Sequence, residues 1–437
     1  MTEPGFTAHT RQLIDDLVAR TQADGRAPSL IAAVVRSGVV AHVSGAGETP
    51  VPDRGLQYRI GSITKTMTAI LVLGLRDQGH LDLDDPVAAH LPALDLPGVR
   101  IRHLLGHAAG LQREPDGLWW ERHPGGTFDE LVAGVGRAKL AFGRYEHYHY
   151  SNLAYGLLGG IVERLTGRPW FDALQARLLG PLEMTRTTYQ ATEPFARGYV
   201  AHPLDGTLRE EPREDAGAMA PAGQLWSTVD DMANFVAALA GHRPEVLPPS
   251  IVDEMARPVI VADPDSWTNG YGLGLSLERS GDRVYIGHTG SMPGYLAMVG
   301  LHRPSDTGVV AFANTYTLPR TGIARGGLAI LDAIVSEQPV RVAPRPPRTE
   351  PAPADVAPLL GTWWWMGREH TARWESDALV ISSPADEWRF TPEGPDRWRG
   401  QTGVQAGEVL SVLRDPAGTV TGLDIATFVF RREPMAD

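Results

Sequence analysis

Apolar residues recur at helical spacing over residues 7–25, where Leu13, Ile14, Leu17 and Val18 form one stripe. Short apolar runs follow, giving strands over Ser29–Val35 and Val39–Val43 around a Ser37-Gly38 turn. A strand-like Tyr58-Arg59-Ile60 then leads through Gly61 into a second helical pattern carrying Met67, Ile70, Leu71 and Leu75. Residues 82–111 read as loop-rich. Helices are predicted over Leu153–Leu165, with an Ala/Gly-rich face, and over Val229–Leu239. Strands return at Tyr271–Leu277, Arg283–Gly287, Leu296–Leu301 and Gly308–Ala313. Helices flanking strands in this order predict an α+β domain, an antiparallel sheet covered by helices.

A second region differs in kind. Residues 338–358 form a Pro/Arg-rich linker, extended and semi-rigid, with Pro339, Pro344, Pro346, Pro347, Pro351, Pro353 and Pro358. Beyond it short strand patterns alternate with turns: Gly361–Met366, His370–Trp374, Ala378–Ser382, Glu387–Thr391, Arg397–Thr402, Val409–Asp415 and Gly422–Arg431. This predicts a small antiparallel β-barrel, with Trp363, Trp364, Trp365, Trp374, Trp388 and Trp398 supplying its core. The expected organisation is therefore 1–337, a linker 338–358, and 359–437.

Composition narrows the chemistry. The 437 residues exceed what one ordinary core holds, and 43% hydrophobic with 21% charged residues is the balance of a globular protein. With no cysteine there is no disulfide, thiol nucleophile or Cys-based metal site. A net charge of −12 without a basic stripe argues against nucleic acid. Met1–Gly5 lacks a basic and an apolar region, so no signal peptide is expected. No apolar run reaches membrane-spanning length. The expected location is cytoplasmic.

The candidate chemistry centres on Ser62-Ile63-Thr64-Lys65. Ser62 opens a helix, where free N–H groups favour developing negative charge, and Lys65 lies one turn on, on the same face. A serine needs an adjacent base, and a desolvated lysine can be one. With 17 Ser and two Lys in the chain, Ser-x-x-Lys is expected by chance about 0.1 times. Tyr150-Ser151-Asn152 places a phenol and an amide on one side of an extended loop: either a proton shuttle and an amide holder, or a buried Tyr beside an Asn helix cap. His288-Thr289-Gly290-Ser291 puts a polar head and a glycine at a strand start, where a substrate backbone could approach; a satisfied edge histidine is the other reading. His107 reads as a structural histidine bonded within the turn before Gly110. His147 and His149 share a side of an extended segment, but no third ligand accompanies them, so no metal is expected. Ser227 or Thr228 with Asp231 reads as helix capping.

Ser62-x-x-Lys65, Tyr150-x-Asn152 and His288-Thr-Gly290 follow the order of the Ser-x-x-Lys, Tyr-x-Asn and Lys-Thr-Gly elements. In this the chain, over about residues 7–336, resembles the penicillin-binding protein and class C β-lactamase-like serine hydrolases. The resemblance implies an acylated Ser62, proton work shared by Lys65 and Tyr150, and Asn152 on the substrate amide. It also implies an oxyanion hole of the Ser62 and Ser291 backbone N–H groups, with Gly290 beside the substrate. The departure is His288, where cell-wall and lactamase members carry Lys; an imidazole anchors a carboxylate less well than a fixed ammonium. The C-terminal part resembles a lipocalin, Gly361-Thr362-Trp363 matching its Gly-x-Trp start, with Arg431 or Arg432 closing the last strand over Trp363.

A His-Thr-Gly variant with a trailing lipocalin-like domain is similar to the penicillin-binding-protein-type thioesterases, which cyclise nonribosomal peptides head to tail. That similarity implies a peptidyl thioester substrate, presented on a peptidyl carrier protein, and no cofactor. It implies a proton relay through Tyr150 and His288, a substrate contact from Arg431, and a β domain acting as a lid. The other readings are an esterase or D-amino-acid peptidase using the same acyl-enzyme, and a penicillin-binding sensor that acylates once and stalls.

Overall fold

The computed structural model describes residues 6–202, 205–316, 318, 320–337, 351–384 and 386–434. Residues 338–350 of the expected linker, and Met1–Gly5, lie outside these. The chain divides into two compact units, Met1–Val340 and Arg341–Asp437.

In the first unit the strands are β1 (Ser29–Arg36), β2 (Val39–Gly47), β3 (Ile260–Val261), β4 (Asn269–Tyr271), β5 (Ser276–Ser280), β6 (Arg283–Met292), β7 (Tyr295–His302) and β8 (Thr307–Ala313). They form one antiparallel sheet in the order β2-β1-β8-β7-β6-β5-β4-β3. Its central strands are apolar on both faces because both faces are covered. Ala32, Val34, Met298 and Val309 pack with α1 (Ala8–Gly25) and the terminal helix Arg320–Glu337 through Ile14, Val18, Ile330 and Ile334. Ile31, Ala33, Val299 and Phe312 face the other way, into the larger core with α2 (Ile63–Asp77), α3 (Asn152–Thr166) and α4 (Val229–Leu239).

Several expected boundaries shift for identifiable reasons. The strand expected over Tyr271–Leu277 is two strands, β4 and β5. Between them Gly274 has φ +79° and its carbonyl accepts the Thr66 hydroxyl at 2.8 Å, tying the loop to α2. The strand expected to end at Gly287 continues to Met292, so His288, Thr289, Gly290 and Ser291 lie within β6 rather than between strands. The stretch 82–111 contains a short helix at Ile101–Leu105. α2 has no polar stripe: every residue from Ile63 to Leu75 is buried, so it threads the middle of the unit.

The second unit is an eight-stranded antiparallel meander from Gly361–Trp365 to Phe428–Phe430. The expected last strand, Gly422–Arg431, breaks in two because Ala426 and Thr427 both take positive φ (50° and 76°), a hairpin turn without Gly or Asn. The extra strand brings the ends together: Trp364 and Arg431 exchange backbone hydrogen bonds of 2.7 and 2.8 Å, nearly closing the barrel. Trp363, Trp388, Trp398 and Phe390 fill its core.

Candidate active site

The turn Ile60-Gly61-Ser62 delivers Ser62 to the start of α2. Gly61 has φ +52°, and a Cβ there would come within 2.5 Å of the Ser291 backbone nitrogen. A Cβ on Gly290 would lie 1.8 Å from the Ile60 carbonyl oxygen. Glycine at both positions lets the serine turn press directly against β6. Ser62 precedes the helix but its hydroxyl caps nothing. Instead Ser62 Oγ accepts a hydrogen bond from Lys65 Nζ at 2.9 Å. Lys65 Nζ also donates to the Ala222 carbonyl at 2.6 Å and sits 5.0 Å from the Tyr150 ring centroid. The side chain is fully buried, and that desolvation pulls the amine down to about 7. Glu121 and Glu114 oppose the shift in part.

Tyr150-Ser151-Asn152 leads into α3. The helix cap is Ser151, whose Oγ accepts the Ala154 N–H at 3.1 Å, rather than Asn152. That leaves Tyr150 and Asn152 for the site. Tyr150 is half-buried and its hydroxyl bonds to Ser62; desolvation raises the phenol well above its ordinary value, so it remains neutral. The Asn152 amide nitrogen donates to Glu114 Oε1 at 2.7 Å, which orients Oδ1 away from that carboxylate. Asn152 Oδ1 and Ser291 Oγ are both buried without a hydrogen-bond partner among the described residues. Orphaned polar atoms of this kind mark places where a ligand would supply the bond.

His288 is satisfied within the fold, one of its two expected readings. It is buried, and desolvation, with Lys65 close by, pushes the imidazole down to about 3, so the ring is neutral. Nδ1–H donates to the Thr289 carbonyl at 2.5 Å, and Nε2 accepts the Tyr271 hydroxyl at 2.9 Å. Both nitrogens are engaged within the protein, and Nε2 meets the Tyr271 hydroxyl rather than Tyr150.

Ser62, Tyr150, Asn152, His288, Gly290 and Ser291 line one cavity of about 280 Å³, with Lys65 directly behind Ser62. Arg113, Glu121 and Tyr148 also line it. No sequence pattern singled out Arg113 or Glu121; the only signal was a run of charged and tryptophan residues, Gln112–Glu121. β5 pairs with β6 only as far as Gly287, so the β6 edge beyond it, from His288 on, is left without a β5 partner beside Ser62.

Arg431 belongs to the barrel. Its guanidinium donates to the Thr421 carbonyl at 3.3 Å, and the arginine packed over Trp363 is its neighbour Arg432, 3.6 Å from the ring centroid. His107 is buried beneath the Tyr150 loop rather than bonded within its own turn. Its Nδ1 accepts the Ser151 N–H and its carbonyl the His149 N–H, each at 3.0 Å. His147 and His149 find no third ligand: no three potential metal-binding side chains cluster among the described residues. Thr228 caps α4, accepting the Asp231 N–H at 3.2 Å, as expected.

No helix among the described residues is long and apolar enough to cross a membrane. The chain is 24% identical over 320 residues to Beta-lactamase-like protein 2 of Dictyostelium discoideum, covering 68% of this chain. It spans 57–64% of the length of the curated relatives it matches. The structure of SurE superposes over 97% of this chain and 99% of its own, with a TM-score of 0.61 and 24% identity, a likeness of fold. A D-stereospecific amidohydrolase from Streptomyces sp. covers 72% of this chain and 98% of its own, with a TM-score of 0.61 and 26% identity. Residues 352–432 match a domain of unknown function, DUF7586. Residues 14–334 match the Beta-lactamase family, and the chain belongs to that family, whose members are serine hydrolases or acyltransferases.

Proposed function

We propose that the chain is a serine acyltransferase that takes a peptidyl thioester, presented on a carrier protein, and closes the peptide into a macrolactam. The observation that carries the acyl-enzyme step is the 2.9 Å contact from a fully buried Lys65 amine, near neutrality, to Ser62 Oγ. Neutral Lys65 takes the Ser62 proton as Oγ attacks the thioester carbonyl carbon. The oxyanion lies against the backbone N–H groups of Ser62 and Ser291, brought together by Gly61 and Gly290. The carbon–sulfur bond then breaks, and the thiolate leaves with the proton held by Lys65. The peptide's own amine attacks the acyl carbon; its proton passes through Tyr150 to Lys65 and back to the departing Ser62 Oγ. Asn152 Oδ1 and Ser291 Oγ, both lacking partners among the described residues, hold the substrate's amide groups.

The neutral His288 supports acyl transfer over β-lactam or cell-wall chemistry, because no ammonium stands there to hold a substrate carboxylate. A second reading, hydrolysis of D-amino-acid amides, is favoured by the 26% likeness to the D-stereospecific amidohydrolase. A peptidyl-pantetheine thioester ending in a D-residue separates the two. Cyclisation gives a product lighter by the lost thiol; hydrolysis gives the free acid. Ser62→Ala abolishes both and the mass adduct on the protein. Absence of any adduct or turnover on thioester, ester and amide probes refutes the acyl-enzyme itself.

A further inference from the structure

Behind the reaction centre lies a second cavity, of about 320 Å³, that the proposed reaction does not use. Phe128, Trp170, Phe171 and Tyr189 supply its aromatic walls, and Glu163 is the single charged residue lining it among the described residues. The Phe171 and Tyr189 rings meet edge to face at 5.7 Å, and Trp170 lies 6.4 Å from Phe171. Two glycines of α3 let Phe128 and Pro221 close onto the helix at the cavity wall. A Cβ on Gly160 would fall 1.9 Å from the Phe128 ring, and one on Gly159 would fall 2.0 Å from Pro221.

Two polar groups are built into these walls. Glu163 Oε1 accepts the Trp170 backbone N–H at 2.8 Å, which fixes the carboxylate beside that ring. The Trp170 indole nitrogen is buried, in a residue only 2% exposed, and has no acceptor among the described residues. The Tyr189 hydroxyl donates to Asp215 at 2.6 Å, placing a second carboxylate behind that ring.

Ring faces carry partial negative charge, and Glu163 forms no ion pair among the described residues; together they favour an organic cation over an anion. We infer that this cavity binds a small organic ammonium, of the choline kind. Its wall includes Ala220 and Pro221, adjoining the Ala222 carbonyl that holds Lys65, so the ligand sits one layer from the nucleophile without entering its cavity.

Choline is the probe, and 3,3-dimethylbutan-1-ol, its neutral twin in shape, is the control. Calorimetric titration of the full chain is expected to show choline binding in about the millimolar range, at least about tenfold tighter than the neutral twin. Glu163→Gln keeps an acceptor for the Trp170 N–H while removing the charge, and Phe171→Leu removes one aromatic wall. Each is expected to weaken choline by about tenfold with the circular dichroism unchanged. Asn152→Ala, which alters the Ser62 cavity, is expected to leave choline binding as it was. Equal binding of the two probes, no binding of choline, indifference to both wall variants, or loss in Asn152→Ala overturns the inference. None of these outcomes depends on whether Ser62 is acylated.

Discussion

Replacing Lys65 by Met keeps the length of the side chain and removes its titration, which makes the buried amine visible in a stability measurement. In the folded chain the amine titrates near 7, against 10.5 for an ordinary lysine. Between those values the unfolded chain binds the proton and the folded chain does not, so stability rises with pH across that window. The contribution is complete above the unfolded value and is lost as pH falls through the folded one. At about 1.36 kcal/mol per unit, with the lower end rounded by partial protonation, the wild type should gain about 2 kcal/mol on Lys65→Met between pH 7 and 9. Below pH 6 the difference should be flat. Met also strands the Ala222 carbonyl that accepted the ammonium, a cost independent of pH that shifts the whole curve without changing its slope. Denaturant titrations of both proteins at pH 5, 6, 7, 8 and 9 provide the test. A wild-type-minus-variant difference that stays constant from pH 7 to 9 would mean that the amine is not depressed, and general-base activation of Ser62 would lose its basis.

Three other substitutions probe the site and the barrel. Gly290→Ala puts a methyl group 1.8 Å from the Ile60 carbonyl oxygen, so the serine turn and β6 must separate; acylation of Ser62 by an active ester should fall by about tenfold or more. His288→Lys installs the ammonium that the neutral ring lacks, and covalent labelling by a carboxylate-bearing β-lactam, read by intact mass, should rise about tenfold. Arg432→Ala removes a guanidinium that stacks at 3.6 Å on Trp363 and donates to the Pro358 and Thr362 carbonyls. It should cost the barrel about 1 kcal/mol in tryptophan-monitored melting, and Arg431→Ala less, since that side chain has one long hydrogen bond.

Much of the site could be read from the chain because its parts are local in sequence. Ser62 and Lys65 share one helical turn, and Tyr150 and Asn152 one extended dipeptide step, so spacing alone put each pair on a common side. The long helices followed their apolar periodicity, and α4 agrees with expectation from Val229 to Leu239. What could not be read are relationships between distant segments. The state of His288 depends on a hydroxyl from Tyr271, across a turn that interrupts an apparently continuous strand. Asn152 is oriented by Glu114, and nothing in either stretch announces the other. The final barrel strand stayed hidden because Ala426-Thr427 turns the chain with residues that ordinarily extend it.

The choice of lysine at position 65 follows from the same physics. The chain has 38 arginines, and it does bury one of them: Arg59, six residues before Lys65, is 1% exposed and lies over Trp226. Its guanidinium donates to the Glu214 carbonyl and to Gln224, while Nε and Nη1 find no partner among the described residues. A guanidinium in that place can hold a loop, but it keeps its proton at any accessible pH. An arginine one turn beyond Ser62 would therefore donate to Oγ permanently and could never take the proton that makes the oxygen nucleophilic. An amine in the same desolvated position can be neutral near pH 7, and the only other lysine, Lys139, is paired with Asp116 at the surface. In a chain that otherwise uses arginine for positive charge, lysine stands at the one buried position where the cation has to be able to give up its charge.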